Sequence, residues 1–219
     1  MDFDSRRADA AWVREWLTGR ALARGLPLPF FDQGGWRAEI GSDSEQRRWV
    51  FAGLTSELRL LAETLTDPAL KLRALATPEA MRAHLPAGWI VGAPSFAMTG
   101  PVPTETRLSL PRDYRLELQE SATSAHAFVL HASGELAASG HGGRSAEAFV
   151  YDRIVTQPEH RRRGLARAVM AALGSACRDA VPGLLVATEE GRPLYETLGW
   201  RVVSPYASAS WTGDSPVQN

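Results

Sequence analysis

The chain has 219 residues, 44% of them hydrophobic and 22% charged, which is the balance of a globular protein with one large or two small domains. A formal net charge of −1 argues against nucleic acid or an anionic membrane as the main partner, because both attract basic proteins. No apolar run is long enough to cross a bilayer and no signal peptide is visible at the N-terminus, so we expect a cytoplasmic protein.

The first hundred residues predict short strands that alternate with helices. Apolar side chains at helical spacing precede Gly25 and a pair of prolines, which predicts a helix followed by a loop. Thr77 before Pro78 has the order of a helix cap and a first helical residue. The predicted elements are a helix within 6–24, strands at 36–40, 48–52 and 70–76, and helices at 54–65 and from Pro78.

Glycines and prolines mark residues 92–111 as a break between two halves, although residues 95–98 can still form a strand. The second half then becomes β-rich. Its predicted elements are strands at 114–118, 127–130 and 136–138, a glycine turn at 140–143, a strand from Phe149, a helix from Leu165, a strand at 184–188, a short helix at 193–198 and closing strands at 202–203 and 207–211.

The segment from Phe149 to Cys177 predicts a strand, a tight basic turn with glycine, and an amphipathic helix. The first N–H groups of a helix have no partner within the helix and lie at the positive end of its dipole. Gly164 in the turn would let an anion approach the backbone closely. Cations are unfavourable at this end of a helix, so the arginines around Gly164 indicate a bound anion. The segment therefore predicts a phosphate site.

The spacing Arg161-x-x-Gly164-x-Ala166 resembles the pyrophosphate-binding signature of the GNAT superfamily, the acyl-CoA-dependent N-acyltransferases. Residues 154–159 resemble the family's strand and V-x-P lead-in, and residues 184–188 its next strand. Residues 193–200, PLYETLGW, resemble its LYekLGF segment. The resemblance implies an α/β (α+β) GNAT fold, a mixed and mostly antiparallel sheet flanked by helices. The two helices that usually follow the family's first strand have no room between Glu120 and Ala125, so the first half is expected to supply that wall.

An internal comparison extends the resemblance to the first half. A shift of 111 residues places Gly53-Leu54 on Gly164-Leu165 and Gly88-Trp89 on Gly199-Trp200. We therefore predict a degenerate GNAT-like domain at 1–103, a linker at 104–112 and the acetyltransferase domain at 113–219, with a tandem arrangement left open. In this alignment the three arginines of the phosphate turn correspond to Val50-Phe51-Ala52, so the first half would not hold phosphate.

The resemblance implies acetyl-CoA as co-substrate. The pyrophosphate would lie on the turn and the pantetheine arm beside the preceding strand, which would also supply the N–H donor for the reaction's oxyanion. The expected contacts are Ile154, Val155, Thr156, Arg161, Arg162, Arg163, Gly164, Leu165, Ala166 and Arg167. Histidine and cysteine spacing predicts no metal site.

The resemblance also implies that Tyr195 protonates the departing thiolate. A base is needed for the amine, and the family often uses a carboxylate on the strand before the phosphate turn. Val150 stands where that glutamate is expected. Our candidate for the base is Asp152, which stands two residues after Val150 and on the same face of the strand. Glu147 is a second candidate, and either carboxylate would act through water.

The predicted function is direct transfer of an acetyl group from acetyl-CoA to a primary amine of a small molecule or peptide. No serine or cysteine arrangement typical of covalent catalysis is visible. Two alternatives stay open: a non-catalytic acyl-CoA-binding regulatory module, and a toxin-like enzyme that acetylates aminoacyl-tRNA. Exposed sheet edges would also allow a homodimer.

Overall fold

The computed structural model describes residues 4, 6, 8–103, 110–177 and 180–213, so most of the predicted linker (104–109) lies outside the described residues. The elements in chain order are α1 (Ala10–Arg24), β1 (Phe30–Asp32), β2 (Gly35–Ser42), β3 (Glu45–Phe51), α2 (Ser56–Thr64), β4 (Leu70–Ala74), α3 (Pro78–His84), β5 (Trp89–Val91), β6 (Ser95–Gly100), β7 (Tyr114–Glu120), β8 (Ser124–His131), β9 (Leu136–Arg144), β10 (Phe149–Thr156), a 3-10 turn (Pro158–His160), α4 (Leu165–Ser175), β11 (Gly183–Thr188), α5 (Arg192–Thr197) and β12 (Arg201–Trp211).

The strands form one mixed, mostly antiparallel sheet in the order β1-β2-β3-β4-β12-β6-β11-β10-β9-β8-β7, with β5 paired to β12. Only β3–β4 and β10–β11 are parallel among the pairs described. The long strand β12 joins the two halves. Its residues 201–206 pair with β6 and its residues 207–211 pair with β4 and β5. The sheet confirms the expected mixed architecture. A homodimer through an outer strand stays a prediction.

Helices cover both faces of the sheet, as expected. Helix α4 packs on β7–β10 in one core, and α2 and α3 cover β3–β5 and the end of β12 in a second. Helix α1 places Trp12, Trp16 and Leu17 against Val150 and Leu184, on the face of β8–β10 opposite α4. The N-terminal helix thus covers the face that the absent helices between Glu120 and Ala125 would otherwise cover.

Both halves contain the same order of elements, because β3-α2-β4-α3-β5 in the first half matches β10-α4-β11-α5-β12 in the second. The parallel pairs differ, however. Strands β3 and β4 stay in register to their ends, through Phe51 and Ala74. Strands β10 and β11 pair only at Phe149–Gly183 and Val150–Leu184. An origin by duplication and the domain division stay predictions. Strand β6, which precedes the predicted linker, pairs with β11 and β12 of the second half.

The structure corrects four details of the predicted elements. Residues 140–143 lie inside β9 and form no turn. A Cβ on Gly140 would lie 2.6 Å from Val169 Cγ1 of α4, and one on Gly143 would meet the carbonyl oxygen of Gly19 in α1. These glycines let helices approach both faces of the strand. Strands β1 and β5 were not predicted, and the two closing strands are one continuous strand.

Within the part of the chain that the structure describes, no helix has the length and apolar character required to span a membrane.

Candidate functional site

The candidate site is the opening between β10 and β11. After Val150 and Leu184 the two strands have no further register partners in each other. Strand β10 continues beside β9 as far as Thr156, and β11 continues beside β6 as far as Thr188. The backbone edge of β10 that faces β11 is therefore exposed inside the fold, where a ligand can take the place of a neighbouring strand.

A bulge bends β10 at this opening. The β9–β10 register shifts between Asp152 and Val155, and Arg153 has a φ of +52°, which is unusual for a residue with a side chain. A β-bulge increases the local twist and redirects side chains. Here it separates Asp152, on the α1 side of the sheet, from Ile154, on the α4 side.

The turn before α4 presents backbone N–H groups without a local acceptor. Gly164 is the N-cap of α4 in a left-handed conformation (φ +77°), no side chain caps the helix, and a Cβ built at Gly164 finds no atom within 4 Å. The matching helix α2 begins differently, because the Thr55 side chain accepts a hydrogen bond from Leu58 N. The α4 turn is thus open to an anion, and the α2 turn is capped by its own chain.

A groove of about 940 Å³ runs from this turn along β10 to α5. Thr188, Gly191 and Leu194 form part of its second wall. It collects nine of the ten residues expected to contact acetyl-CoA: Ile154, Val155, Thr156, Arg161, Arg162, Gly164, Leu165, Ala166 and Arg167.

Arg163 is the expected contact that does not line the groove. Its guanidinium carbon lies 5.9 Å from the centre of the Tyr114 ring, over a face of that ring. Arg162 before it has a φ of +64°. Arg161 stays at the groove, where Nη1 donates to Glu190 Oε1 at 2.9 Å across exposed surface. Consecutive arginines in the motif therefore have different surroundings.

Tyr195, the predicted proton donor, is 9% exposed and lines both this groove and a second cavity beside it. Burial raises the pKa of its phenol to about 12, and the negative charge of Asp152 acts in the same direction. The phenol therefore keeps its proton at neutral pH. A protonated hydroxyl at the junction of two cavities can donate to a group formed there.

Asp152, the predicted base, lies among arginines of α1. Its side chain is 12% exposed; Oδ1 lies 3.5 Å from Arg20 Nε, and Oδ2 accepts a hydrogen bond from Arg24 Nε. Burial alone would raise the pKa of this carboxyl. The hydrogen bond from Arg24 and the charges of Arg20 and Arg24 outweigh burial and hold the pKa below its ordinary value. Asp152 is thus an anion at neutral pH, with reduced basicity.

The second cavity has a volume of about 320 Å³ and lies between the two halves, on the α1 side of the opening. Three arginines that sequence reasoning missed reach it from the first half: Arg20 on α1, Arg48 on β3 and Arg73 on β4. Arg48 and Arg73 both pair with Glu45, at 2.7 and 3.0 Å. The cavity shares Ile154, Thr188, Gly191 and Tyr195 with the groove.

Burial and mutual repulsion alter the acid–base behaviour of this cluster. Burial first, and the charge of Arg48 second, lower the pKa of Arg20 to about 9. Burial and the charge of Arg73 likewise lower the pKa of Arg48. Burial raises the pKa of the Tyr206 phenol, against the opposing effect of the arginines. Positive charge is crowded in this cavity.

Two sequence signals could have identified these arginines. Arg20 stands at i+4 and i+8 from Trp16 and Trp12, in the apolar stripe of α1. Arg48 precedes the uncharged run Trp49-Val50-Phe51 of a buried strand. A charge in such a position is rare unless it has a specific partner.

Comparison with known proteins connects this geometry to a family. Residues 108–213 match the family model described as the acetyltransferase (GNAT) domain. A search of curated proteins found no match to the chain.

The fold also resembles solved structures over most of the chain. A GCN5-related N-acetyltransferase from Kribbella flavida superposes with a TM-score of 0.61 at 13% identity, over 89% of this chain and 93% of that one. A GCN5-related N-acetyltransferase-like protein from Streptococcus suis gives 0.57 at 15% identity, with 85% and 89% covered. A GCN5-related N-acetyltransferase from Sphaerobacter thermophilus gives 0.57 at 13% identity, with 85% and 80% covered. At these identities the likeness shows the fold.

The ion pairs of Asp152 make a stability prediction. Asp152→Asn leaves the buried Arg20 and the partly buried Arg24 without their carboxylate, so we expect the free energy of unfolding at pH 7 to fall by roughly 3 kcal/mol or more. Urea denaturation measures it. Glu117→Gln, which removes an exposed pair with Arg115, is the control and should change stability by less than about 0.5 kcal/mol.

The difference in unfolding free energy between the wild type and Asp152→Asn should also depend on pH. The folded-state pKa of Asp152 is below its ordinary value of 3.8, so its contribution is complete above that value and disappears as the pH falls through the folded-state pKa. Equal stability of the wild type and Asp152→Asn at pH 7 would contradict the ion pairs.

Proposed function

The chain belongs to the GNAT superfamily through its residues 108–213, and on that premise we propose that it is an N-acetyltransferase, acting in the cytoplasm, that transfers an acetyl group from acetyl-CoA to a primary amine. One observation carries the proposal: a single groove joins the uncapped turn at Gly164, the free edge of β10 and the protonated Tyr195. In acetyl-CoA, the pyrophosphate would bind at the turn, the pantetheine arm with its two amides along β10, and the thioester beside Tyr195.

The groove suits acetyl-CoA as a substrate. The N–H groups that begin α4, with the space above Gly164, suit the pyrophosphate. Arg161, Arg162 and Arg167 add positive charge around that turn. The unpaired edge of β10 from Tyr151 onward offers backbone groups to the two amides of the pantetheine arm, which would then continue the sheet as a short strand.

The reaction we propose is a direct transfer. The amine nitrogen attacks the thioester carbonyl, and the new C–N bond forms as the oxygen becomes an oxyanion. A backbone N–H of Ile154–Thr156 would stabilise that charge. The C–S bond then breaks, and Tyr195 donates a proton to the thiolate. The products are an N-acetyl amide and free CoA.

The amine must lose a proton before or during attack. We propose that Asp152 takes it through water. Because its pKa is below the ordinary value, Asp152 contributes less to the rate than a base whose pKa lies near neutrality.

Acetyl turnover separates this proposal from an acyl-CoA-binding module without catalysis, which would use the same groove. The aminoacyl-tRNA alternative requires an exposed basic face that extends into the first half. Arg20 and Arg48, which adjoin the site there, are buried inside the cavity and are not available to a phosphate backbone.

One prediction concerns the binding of acetyl-CoA, the acetyl donor. We expect micromolar binding of acetyl-CoA by the wild type and at least a 100-fold weaker affinity for Gly164→Asp, because a carboxylate at the N-cap accepts the N–H groups and repels the pyrophosphate. Titration calorimetry measures both. Arg163→Ala is the control, and its Kd should stay within about threefold because Arg163 lies over Tyr114 and does not line the groove. Unchanged binding by Gly164→Asp would show that the pyrophosphate binds elsewhere.

A further prediction concerns Tyr195, the proposed proton donor. Tyr195→Phe should lower kcat by roughly 10²- to 10⁴-fold and leave the Kd of acetyl-CoA within a few fold, because it removes the proton and keeps the ring. The measurement is thiol release with a panel of primary amines: amino acids, polyamines, aminoglycosides and peptide N-termini. A kcat close to that of the wild type would mean that another group or water protonates the thiolate.

A further inference from the structure

The cavity lined by Arg20, Arg48 and Arg73 lies where an acceptor has to bind. It shares Ile154, Thr188, Gly191 and Tyr195 with the groove assigned to acetyl-CoA, so the two compartments meet at the proposed acid. One compartment opens on the α4 side of the sheet and the other on the α1 side. Two substrates can therefore approach the same point from opposite faces, as direct transfer requires.

This cavity has more positive than negative charge. Arg20 and Arg24 share the single carboxylate of Asp152, and Arg48 and Arg73 share that of Glu45. Within this cluster four guanidinium groups face two carboxylates. The six side chains are between 6% and 18% exposed, so solvent compensates little of the remaining charge. Burial first, and then the charge of a neighbouring arginine, lowers the pKa of Arg20 and of Arg48, whereas Tyr206 and Glu45 raise that of Arg73 against burial. An anion in the cavity would relieve the repulsion at Arg20 and Arg48.

The cavity wall also carries buried polar atoms without partners. Arg48 Nε, Arg73 Nε and the Tyr206 hydroxyl are inaccessible to solvent and have no hydrogen-bond partner among the residues described. Arg48 as a whole is 6% exposed and Tyr206 is 3% exposed. Because these three atoms are closed to solvent, a ligand in the cavity would contact the exposed parts of the Arg48 and Arg73 side chains, which are 7% and 18% exposed and line it. Guanidinium groups match carboxylates well, because both are planar and can form two parallel hydrogen bonds.

The size of the cavity limits the acceptor. About 320 Å³ is at the small end of the range for small-molecule sites. The side chains at its far end come from α1, β3 and β4 of the first half and from β12, so the two halves form that end together. We propose that the acceptor is a small amino carboxylate, such as a free amino acid, whose carboxylate binds Arg48 and Arg73 while its amine faces Tyr195. This inference rests on the proposed acetyl transfer and specifies its second substrate.

The reaction is then fully balanced. The ammonium group of the amino acid loses two protons, one to solvent before attack and one to Asp152 through water as the C–N bond forms. The C–S bond of the thioester then breaks, the sulfur takes the proton of Tyr195, and a proton from solvent restores the phenol. The carboxylate takes no part in bond making. It binds the arginines in both substrate and product, so the product is an N-acetyl amino acid.

The test compares acceptors that differ only in the carboxylate. The twenty L-amino acids, β-alanine and 4-aminobutyrate are assayed by thiol release from acetyl-CoA, beside their carboxamides and the corresponding plain amines. We expect at least one carboxylate to exceed its amide and its amine by about 100-fold or more in kcat/KM, because those analogues carry no negative charge to offset the excess positive charge of the arginines. Equal or faster turnover of the amides or amines would overturn the proposal.

Substitutions at Arg48 and Arg73 then test whether these residues bind the acceptor's carboxylate. Arg48→Gln and Arg73→Gln should raise KM for the carboxylate by roughly 10- to 100-fold and leave the Kd of acetyl-CoA unchanged. Arg47→Gln is the matched control, because Arg47 is the neighbour of Arg48 on β3, pairs with Glu39 and does not line the cavity. If Arg47→Gln and Arg48→Gln had the same effect, the carboxylate would not bind in this cavity.

A binding experiment keeps this inference separate from the proposed activity. N-acetyl amino acids should raise the Tm of the wild type by about 2 °C or more at saturation, and the corresponding N-acetyl amino amides should not. If calorimetry shows no acetyl-CoA binding, the proposed function fails, and this Tm comparison still decides whether the cavity binds carboxylates. If acetyl-CoA binds but only amines without a carboxylate are acetylated, this inference alone fails. Absence of both stabilisation and turnover with every carboxylate would also reject it.

Discussion

The separation of β10 from β11 after Val150 and Leu184 determines both halves of the site. Two parallel strands normally continue their ladder, and an unpaired strand edge inside a fold is unfavourable unless another group satisfies it. Here β10 follows β9 through a bulge at Arg153, while β11 follows β6 to Thr188. The resulting opening forms the long groove on the α4 side and the arginine-lined cavity on the α1 side. In the first half, β3 and β4 stay paired to Phe51 and Ala74, and no such opening forms.

The first half of the chain contributes the electrostatics of the site. It has the element order of the second half, yet Thr55 caps α2, the helix that corresponds to α4. Its strands instead bring Arg48 and Arg73 to the cavity, and α1 brings Arg20. Strand β12 makes this arrangement possible, because one end of it pairs with β6 and the other with β4 and β5. The half whose corresponding helix is capped by its own chain thus forms a wall of the arginine-lined cavity.

Local sequence was sufficient to predict the uncapped glycine turn before α4, and its binding of phosphate stays a prediction. Gly164, the preceding strand and the amphipathic helix are adjacent in the chain, and the role of each depends on backbone geometry that neighbouring residues determine. The orientation of Arg163 was not predictable, because it depends on the left-handed backbone at Arg162 and on the position of Tyr114, 49 residues earlier in the chain. Residues 140–143 were interpreted as a turn because glycine is most often found in turns. Their strand conformation depends on the close approach of α1 and α4.

The sequence could not predict that the arginines meet at one cavity, and the reason is different. Arg20, Arg48 and Asp152 are separated by up to 132 residues and belong to elements whose order in the sheet cannot be obtained from periodicity. The apolar patterns around Arg20 and Arg48 indicate that each has a partner, but they do not identify it. Only the sheet order, with β4 and β6 on either side of β12, places them at one cavity and next to Tyr195.

Amide hydrogen exchange, with and without acetyl-CoA, tests most directly whether the opening between β10 and β11 is the donor site. We expect acetyl-CoA to slow exchange at Ile154–Thr156 and at the turn 162–166, where the arm and the pyrophosphate bind the backbone. The corresponding turn of the first half, residues 52–56, should be unaffected. Protection at 52–56, or binding of acetyl-CoA without any protection of β10, would contradict the account.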